Sequence, residues 1–187
     1  PKRSIEIQLN LGSDIVLVLD ELISPAATPE YIQASLARTH RWELASIQHF
    51  RQNVASSINP QAQLFGIVQG TTDKALREQE AKWVASQDFD GVSIGGSMGG
   101  ENQDDHTLDW AATDAIAQTM SWVVPHLPEE WPKHALGIGE VADFFNCIEQ
   151  GIDMFDCVAP TRRARNGSLY ISPASEGSTT NNFTLNV

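Results

Sequence analysis

Apolar residues gather in five short runs, and each run is preceded or followed by a stretch with helical periodicity. The runs are "DIVLVLDE" (14–21), "QLFGIVQG" (63–70), "DGVSIGG" (90–96), "HALGIG" (134–139) and "DMFDCV" (153–158). They have the length of strands and are apolar on both faces, which is the pattern of parallel strands covered by helices. The intervening segments supply those helices. Residues 28–52 open with Thr28 as a cap and Pro29 at the first helical position. Residues 71–87 carry Leu76, Trp83 and Val84 on one face at i, i+7 and i+8. Residues 108–124 form a long apolar segment, and residues 140–150 end at Gly151, the usual position after a helix. The opening "SIEIQLNLGSD" reads as the end of an amphipathic helix, with something missing upstream of Pro1. The predicted fold class is therefore α/β.

Residues of unusual type collect where these strands end: "LDE", "VQG", "IGGSMGG", "GIGE" and "FDCVAPTRRARNG", all read as loops. That is the functional face of a (β/α)8 TIM barrel. A closed barrel takes eight strands and about 250 residues. Five units in 187 residues predict the later strands and helices of one, with residues 1–187 as a single partial barrel domain. The tail carries an Asn166-Gly167 turn signal, a short strand, a Ser/Thr/Gly/Asn loop and a further strand.

Composition narrows the partners. With 41% hydrophobic and 19% charged residues the chain belongs to the soluble globular class. Its 24 Asp and Glu against 12 Lys and Arg give a net charge of -12, so the summed field repels a polyanion. Any contact with nucleic acid must be local. Arg162, Arg163 and Arg165 are the one concentrated group of cations, and taken alone "RRAR" is equally a solvated basic turn. Cys147 and Cys157 lack CxxC or His-rich spacing, so neither a disulfide framework nor a metal site follows from them. Reduced thiols, no run of about 18 apolar residues and no leader pattern predict a cytoplasmic protein without a membrane partner.

The motifs "SDIVLVLDE", "FGIVQG", "DFDGVSIGGSMGGE", "LGIGEV" and "GIDMFDCVAPTRRARNG" closely resemble, in order and spacing, those of the tRNA-guanine transglycosylases, the queuine tRNA-ribosyltransferases. The resemblance covers nearly the whole chain. It implies a TIM barrel that exchanges a guanine at the wobble position of certain tRNAs for a 7-deazaguanine. Its partners would be the tRNA anticodon loop and the guanine and 7-deazaguanine bases, in a homo- or heterodimer.

Base exchange at C1′ of ribose with retention takes two displacements, and a carboxylate suits the first by trapping the sugar as a glycosyl ester. The resemblance puts Asp156 at the nucleophile position; without the motif, an Asp capping the following loop is equally compatible. Asp20, Gln69, Gly95 and Gly96 fall at the family's base-reading positions, Asp20 accepting from the N–H edge and Gln69 or a backbone N–H donating to the carbonyl. Singly, Asp20 is also compatible with an ion pair to a core Arg, Gln69 with closing a loop, and the glycines with a tight turn. Gly137 and Gly139 would let the backbone approach the ribose or base. Arg162 and Arg165 match positions that contact tRNA phosphates beside the flipped-out base, and Arg163 matches a variable one.

The resemblance also implies parts that are missing from the chain: three earlier strands, a second catalytic Asp in a "DSGG" type motif, and the Cys and His ligands of a structural zinc. No cofactor or metal is expected here, and the zinc belongs to the complete family member. Gly99 and Leu22 stand where bacterial members commonly have a larger residue and Cys, which favours queuine as the incoming base. The competing readings are a non-catalytic tRNA-binding homologue or partner subunit, and a barrel N-glycosidase that hydrolyses rather than exchanges.

Overall fold

The computed structural model of the chain describes residues 1–24, 26–96, 110–171 and 184–186. Helix α1 (Lys2–Leu11) turns at Gly12 into strand β1 (Ile15–Leu17), and α2 (Pro29–Asn53) leads to β2 (Gln63–Val68). The alternation continues through α3 (Lys74–Ala85), β3 (Gly91–Ile94), α4 (Trp110–Val123), β4 (Lys133–Ala135), α5 (Val141–Glu149) and β5 (Met154–Phe155). All four strand pairings are parallel and the sheet order is β1-β2-β3-β4-β5. An order that never reverses is that of a barrel and not of a doubly wound sheet. The five strands curl into a half-barrel, as the alternation of runs and helices predicts.

The sequence dictates much of this locally. Thr28 Oγ1 accepts the Tyr31 N–H at 3.3 Å and Pro29 occupies the first turn, so α2 starts where its cap lies. Asp73 caps α3 in the same way, through the Leu76 N–H at 2.9 Å. Every residue of β2 after Gln63 is buried, with Leu64, Phe65 and Val68 wholly inside. Val16, Val92, Ile94, Ala135, Met120 and Val123 complete the core around it.

The face that α3 turns inward differs from the expected apolar stripe. It carries Arg77, Glu80, Ala81 and Val84, whereas Leu76 and Trp83 are only half-buried. Trp83 instead stacks on His40 of α2, ring centroids 3.7 Å apart, and His40 Nε2 lies 2.7 Å from Glu80 Oε2. Arg77 lies inside because the strand ends beneath α3 present backbone carbonyls for it to donate to, and Glu80 is buried against His40. The final expected strand also shortens. Only Met154 and Phe155 pair, and after Val158 the chain enters helix α6 (Ala159–Arg165), where a loop was expected. Pro160 lies in its first turn, and its last turn gathers three guanidinium groups at the negative end of the helix dipole. A two-stranded antiparallel ribbon follows, β6 (Ser168–Tyr170) with β7 (Thr184–Asn186).

Side chains finish the sheet where the backbone diverges. Val18 donates to Phe65 O at 3.3 Å as the last bond between β1 and β2. The next donor on that side of β2, the Ile67 N–H, is taken at 3.0 Å by Glu43 Oε1, reaching in from α2. On the other edge of β1, Gln8 engages both backbone groups of Leu17, accepting its N–H and donating to its carbonyl at 2.8 Å each. Both groups satisfy backbone atoms that the short strand leaves over.

Glu43 has no exposure to solvent. Burial drives its pKa well above the ordinary glutamate range against the opposing Ile67 hydrogen bond, and the charges of Glu80 and Asp20 push it further up. The folded chain therefore keeps a proton that the unfolded chain has released, so the contribution of Glu43 to stability is present at acid pH. It is lost as pH rises from the ordinary range through the raised value. Glu43→Gln, which keeps an acceptor for Ile67 and cannot ionise, is expected to remove that pH-dependent loss. Glu43→Ala leaves the Ile67 N–H unpaired and is expected to cost about 1–3 kcal/mol. Denaturant titrations at acid and neutral pH check both, and a Gln variant with the parent's pH dependence would refute the assignment.

Candidate functional site

Four of the residues singled out in the sequence meet at the ends of β2 and β3. Gln69, buried at 1% exposure, donates from Nε2 to Asp20 Oδ2 just past β1, so Asp20 is partnered by an amide and not by a core Arg. The donor expected to face a carbonyl is thus turned toward Asp20. Gln69 Oε1 is buried and has no hydrogen-bond partner among the described residues. This acceptor rests against Gly96, whose φ of +84° disfavours a side chain and where a Cβ would stand 2.5 Å from it. At Gly95 a Cβ would touch Gln69 Nε2 at 3.3 Å and Leu136 Cδ1 at 3.2 Å, so this glycine joins the β2 end to the β4 end. Burial raises the pKa of Asp20 from its ordinary value, with the Gln69 hydrogen bond opposing.

The corner is held from behind by Arg77, which sequence reasoning missed. Its guanidinium, without solvent exposure, donates to Gly95 O at 2.6 Å, Thr71 O at 2.7 Å and Val68 O at 3.2 Å. Burial pulls its pKa down to about 10, with Glu80 acting the other way, so the group stays charged at neutral pH. Thr71 has φ of +55°, a strained conformation for a β-branched residue, next to Gly70 at +130°. A Cβ at Gly70 would lie 2.9 Å from the Arg77 backbone N. Strain and close approach are both tolerated where the buried cation fixes the turn.

The second half of the site is built on β4 and β5. Asp156 follows β5 directly, and its side chain is 61% exposed. Its Oδ1 accepts the Gly137 N–H at 3.1 Å and lies 3.1 Å from Nε2 of His134 on β4. Ser93 Oγ on β3, fully buried, lies 3.2 Å from His134 Nδ1. His134 and Ser93 were not singled out as site residues. Both sit in runs that look like core strand, and nothing in their spacing marks them.

Only one of the three arginines behaves as a structural residue. Arg163 Nη2 contacts both Glu140 oxygens at 2.6 Å, and its Nε donates to the Tyr170 hydroxyl at 3.1 Å. Tyr170 in turn donates to Gly139 O at 2.8 Å, fastening α6 and β6 to the loop after β4. Arg163, at a position that is variable in the family, is thus half-buried and spent on contacts within the chain. Arg162 and Arg165 are exposed and have no ion pair with a described residue, and they leave α6 one turn beyond Asp156.

The sequence comparisons bear on this arrangement. A family profile described as Queuine tRNA-ribosyltransferase matches residues 1–185. The chain belongs to the queuine tRNA-ribosyltransferase family. It is similar, at 40% identity over 93% of its length, to a Roseiflexus queuine tRNA-ribosyltransferase, and at 39% over 92% to one from Haemophilus ducreyi. It is 46% identical over its whole length to an Archaeoglobus fulgidus protein provisionally named for the same activity. The chain spans 41–42% of the length of these relatives. Leu22 is exposed, and Gly99 lies outside the described residues. Among the described residues no group of three or more His, Cys, Asp or Glu could hold a metal ion. Cys147 is buried in the core, with its thiol pKa pushed up to about 11 by burial. No described helix is long and apolar enough to cross a membrane.

The two kinds of arginine differ in a measurable way. Arg163→Ala removes the bonds to Glu140 and Tyr170 and is expected to destabilise the protein by about 1–2 kcal/mol. Arg162→Ala and Arg165→Ala are expected to stay within about 0.5 kcal/mol of the parent. Denaturation of the three variants decides the matter, and equal losses at all three positions would contradict the division.

Proposed function

We propose that the full-length protein carrying this segment is a tRNA-guanine transglycosylase, with Asp156 as the covalent nucleophile and Asp20, Gln69, Gly95, Gly96 and Gly137 lining the base and ribose site. The observation that carries the proposal is the state of Asp156. One carboxylate oxygen is anchored by a backbone N–H and an imidazole, while the carboxylate as a whole is open to solvent at a barrel strand end. An Asp that only capped the following loop would spend its oxygens on the loop's own N–H groups. Attack of the free oxygen on C1′ breaks the glycosidic bond, and the electron pair leaves with guanine, which takes a proton from an acid supplied elsewhere in the enzyme. The incoming 7-deazaguanine nitrogen then displaces the carboxylate and loses its proton, so the two inversions give net retention.

Base recognition on this reading falls to the buried corner. Asp20 accepts from the N–H edge of the purine, and Gln69 is free to exchange its bond to Asp20 for one to the base. Arg162 and Arg165, without carboxylate partners, take the phosphates flanking the extruded nucleotide, which a net charge of -12 would otherwise repel. The structural zinc would be held by residues of the full-length protein outside this segment, and dimer formation would likewise draw on that larger chain. An intact Asp156 favours exchange over a purely tRNA-binding role.

Two experiments test the reading in the full-length protein. Asp156→Ala is expected to abolish base exchange while tRNA binding survives, and substantial exchange by that variant would exclude the assignment. Each phosphate neutralised on a single strand contributes about -0.7 to the slope of log K against log salt. Arg162→Ala and Arg165→Ala are each expected to weaken tRNA binding and flatten that slope by about 0.7, leaving free-base affinity unchanged. Slopes and affinities equal to the parent's would leave the two cations as ordinary surface charge.

A further inference from the structure

A chain of close polar contacts runs from the interior of the half-barrel to the candidate nucleophile: Ser93 on β3 is hydrogen-bonded to His134 on β4, whose Nε2 lies at ion-pair distance, 3.1 Å, from Asp156 after β5. These residues come from three adjacent strands, and Ser93 and His134 are register partners in the β3–β4 pairing. Their alignment is therefore fixed by the sheet and not by a loop. We infer that His134 is a positioning residue for Asp156, held in one tautomer and one orientation by Ser93, and that it decides which carboxylate oxygen attacks. This rests on Asp156 being the nucleophile.

The proton placement follows from the acceptor. A carboxylate oxygen accepts, so the His134 Nε2 facing Asp156 Oδ1 at 3.1 Å must carry hydrogen. In the neutral ring Nδ1 is then the acceptor, and the Ser93 hydroxyl donates to it. If the ring is protonated, the same hydroxyl rotates and accepts, so Ser93 holds the ring in either state. Asp156 Oδ1 thus accepts the N–H of Gly137 and faces the Nε2 of His134 at 3.1 Å. Among the described residues Oδ2 has no donor, and it is the oxygen presented for bond formation.

The consequence is chemical as well as geometric. When Oδ2 bonds to C1′, Oδ1 becomes the ester carbonyl and the negative charge of the carboxylate is consumed. When the ester is broken in the second displacement, that charge returns and is shared with Oδ1, which the Gly137 N–H already bonds and the His134 ring already neighbours. The His134 and Gly137 donors therefore assist departure of the carboxylate, and they fix its plane during attack.

The test compares four single variants and one double variant in the full-length protein, measuring steady-state exchange, tRNA affinity and the fraction of tRNA trapped as a denaturant-resistant covalent adduct. A hydrogen bond to a charged group is worth enough that His134→Ala is expected to lower kcat by about ten- to a hundredfold with KM for tRNA little changed. His134→Gln, whose amide Nε2 can still donate to Oδ1, is expected to recover most of that loss, which a merely space-filling role would not predict. Ser93→Ala is expected to lower kcat by a smaller factor, and to have no further effect once His134 is Ala, because it acts through the ring. Asp156→Ala in the same series separates the two readings. If that variant exchanges bases, the nucleophile assignment falls and this inference with it. If it is inactive while His134→Ala keeps the parent's kcat and adduct level, only the role of His134 is overturned. A loss in His134→Ala that Gln fails to relieve, or full additivity with Ser93→Ala, overturns it as well.

Discussion

A guanidinium sealed inside the protein sets the geometry of the base-side corner. Arg77 leaves α3 on its inward face and spends its N–H groups on the carbonyls of Val68, Thr71 and Gly95. The Thr71 and Gly95 carbonyls lie beyond the ends of β2 and β3, where the parallel ladder runs out, and the Val68 carbonyl at the end of β2 also accepts the Gly95 N–H at 3.1 Å. A buried cation is costly unless its donors are used, and terminal carbonyls cost energy unless their lone pairs are used. Each requirement meets the other here. The turn that results holds Thr71 at a strained φ and brings Gly70 against the helix, and it places Gln69 against Gly95 and Gly96. An apolar residue at position 77 would take this donor from the Thr71 and Gly95 carbonyls and leave Val68 O with the Gly95 N–H alone, so the corner has little freedom to rearrange.

Neighbouring residues of the same chemical type do different work, and the strand and helix geometry decides which. Asp20 and Glu21 are consecutive, yet their environments pull their pKa values in opposite directions. Asp20 points toward Gln69 and is raised by burial. Glu21 turns to α2, where the Tyr31 hydroxyl, Ser35 and Arg38 hold it below the ordinary glutamate range, the Tyr31 bond contributing most. The alternation of side chains at a strand end puts one carboxylate on the site and uses the other to tie the loop down. Arg162, Arg163 and Arg165 divide similarly on a helix of seven residues. Glu140 and Tyr170 consume Arg163, and the other two remain exposed.

The architecture was legible in the sequence because its signals are local. The apolar runs marked five strands, Thr28 with Pro29 marked the start of α2, and the strand ends marked the face bearing the unusual residues. The helix α6 was not legible, since "APTRRARNG" has no apolar periodicity and is stabilised by contacts with Glu140 and Tyr170. Arg77 and Glu80 were hidden for a related reason. A hydrophobic-moment argument assigns charges to the solvent face of a helix, and it cannot see that the face beneath α3 consists of carbonyl ends. His134 and Ser93 lie in runs whose length and setting read as core strand. Their partnership exists only through the register that pairs them across β3 and β4, a non-local fact that no spacing along the chain encodes. Asp156 and Asp20 were found through a motif and not through physics, since the residue types alone left their bland alternatives open.

The same register explains why catalytic duty would fall on residues from separate strands. In a parallel sheet each strand contributes its C-terminal residue to one rim, and adjacent strands place such residues about 4.8 Å apart. A side chain from β4 therefore reaches the rim of β5 without any loop contribution, and the one behind it on β3 reaches β4 in turn. A network built on that lattice inherits the rigidity of the ladder. By contrast, Asp156 stands just past the two-residue strand β5, where the ladder stops, and its own backbone is less constrained. The donors from β4 supply the constraint that β5 lacks. A short final strand is compatible with a precisely held carboxylate only if a neighbour does the holding, and the Gly137 N–H together with the His134 ring is what the sheet provides.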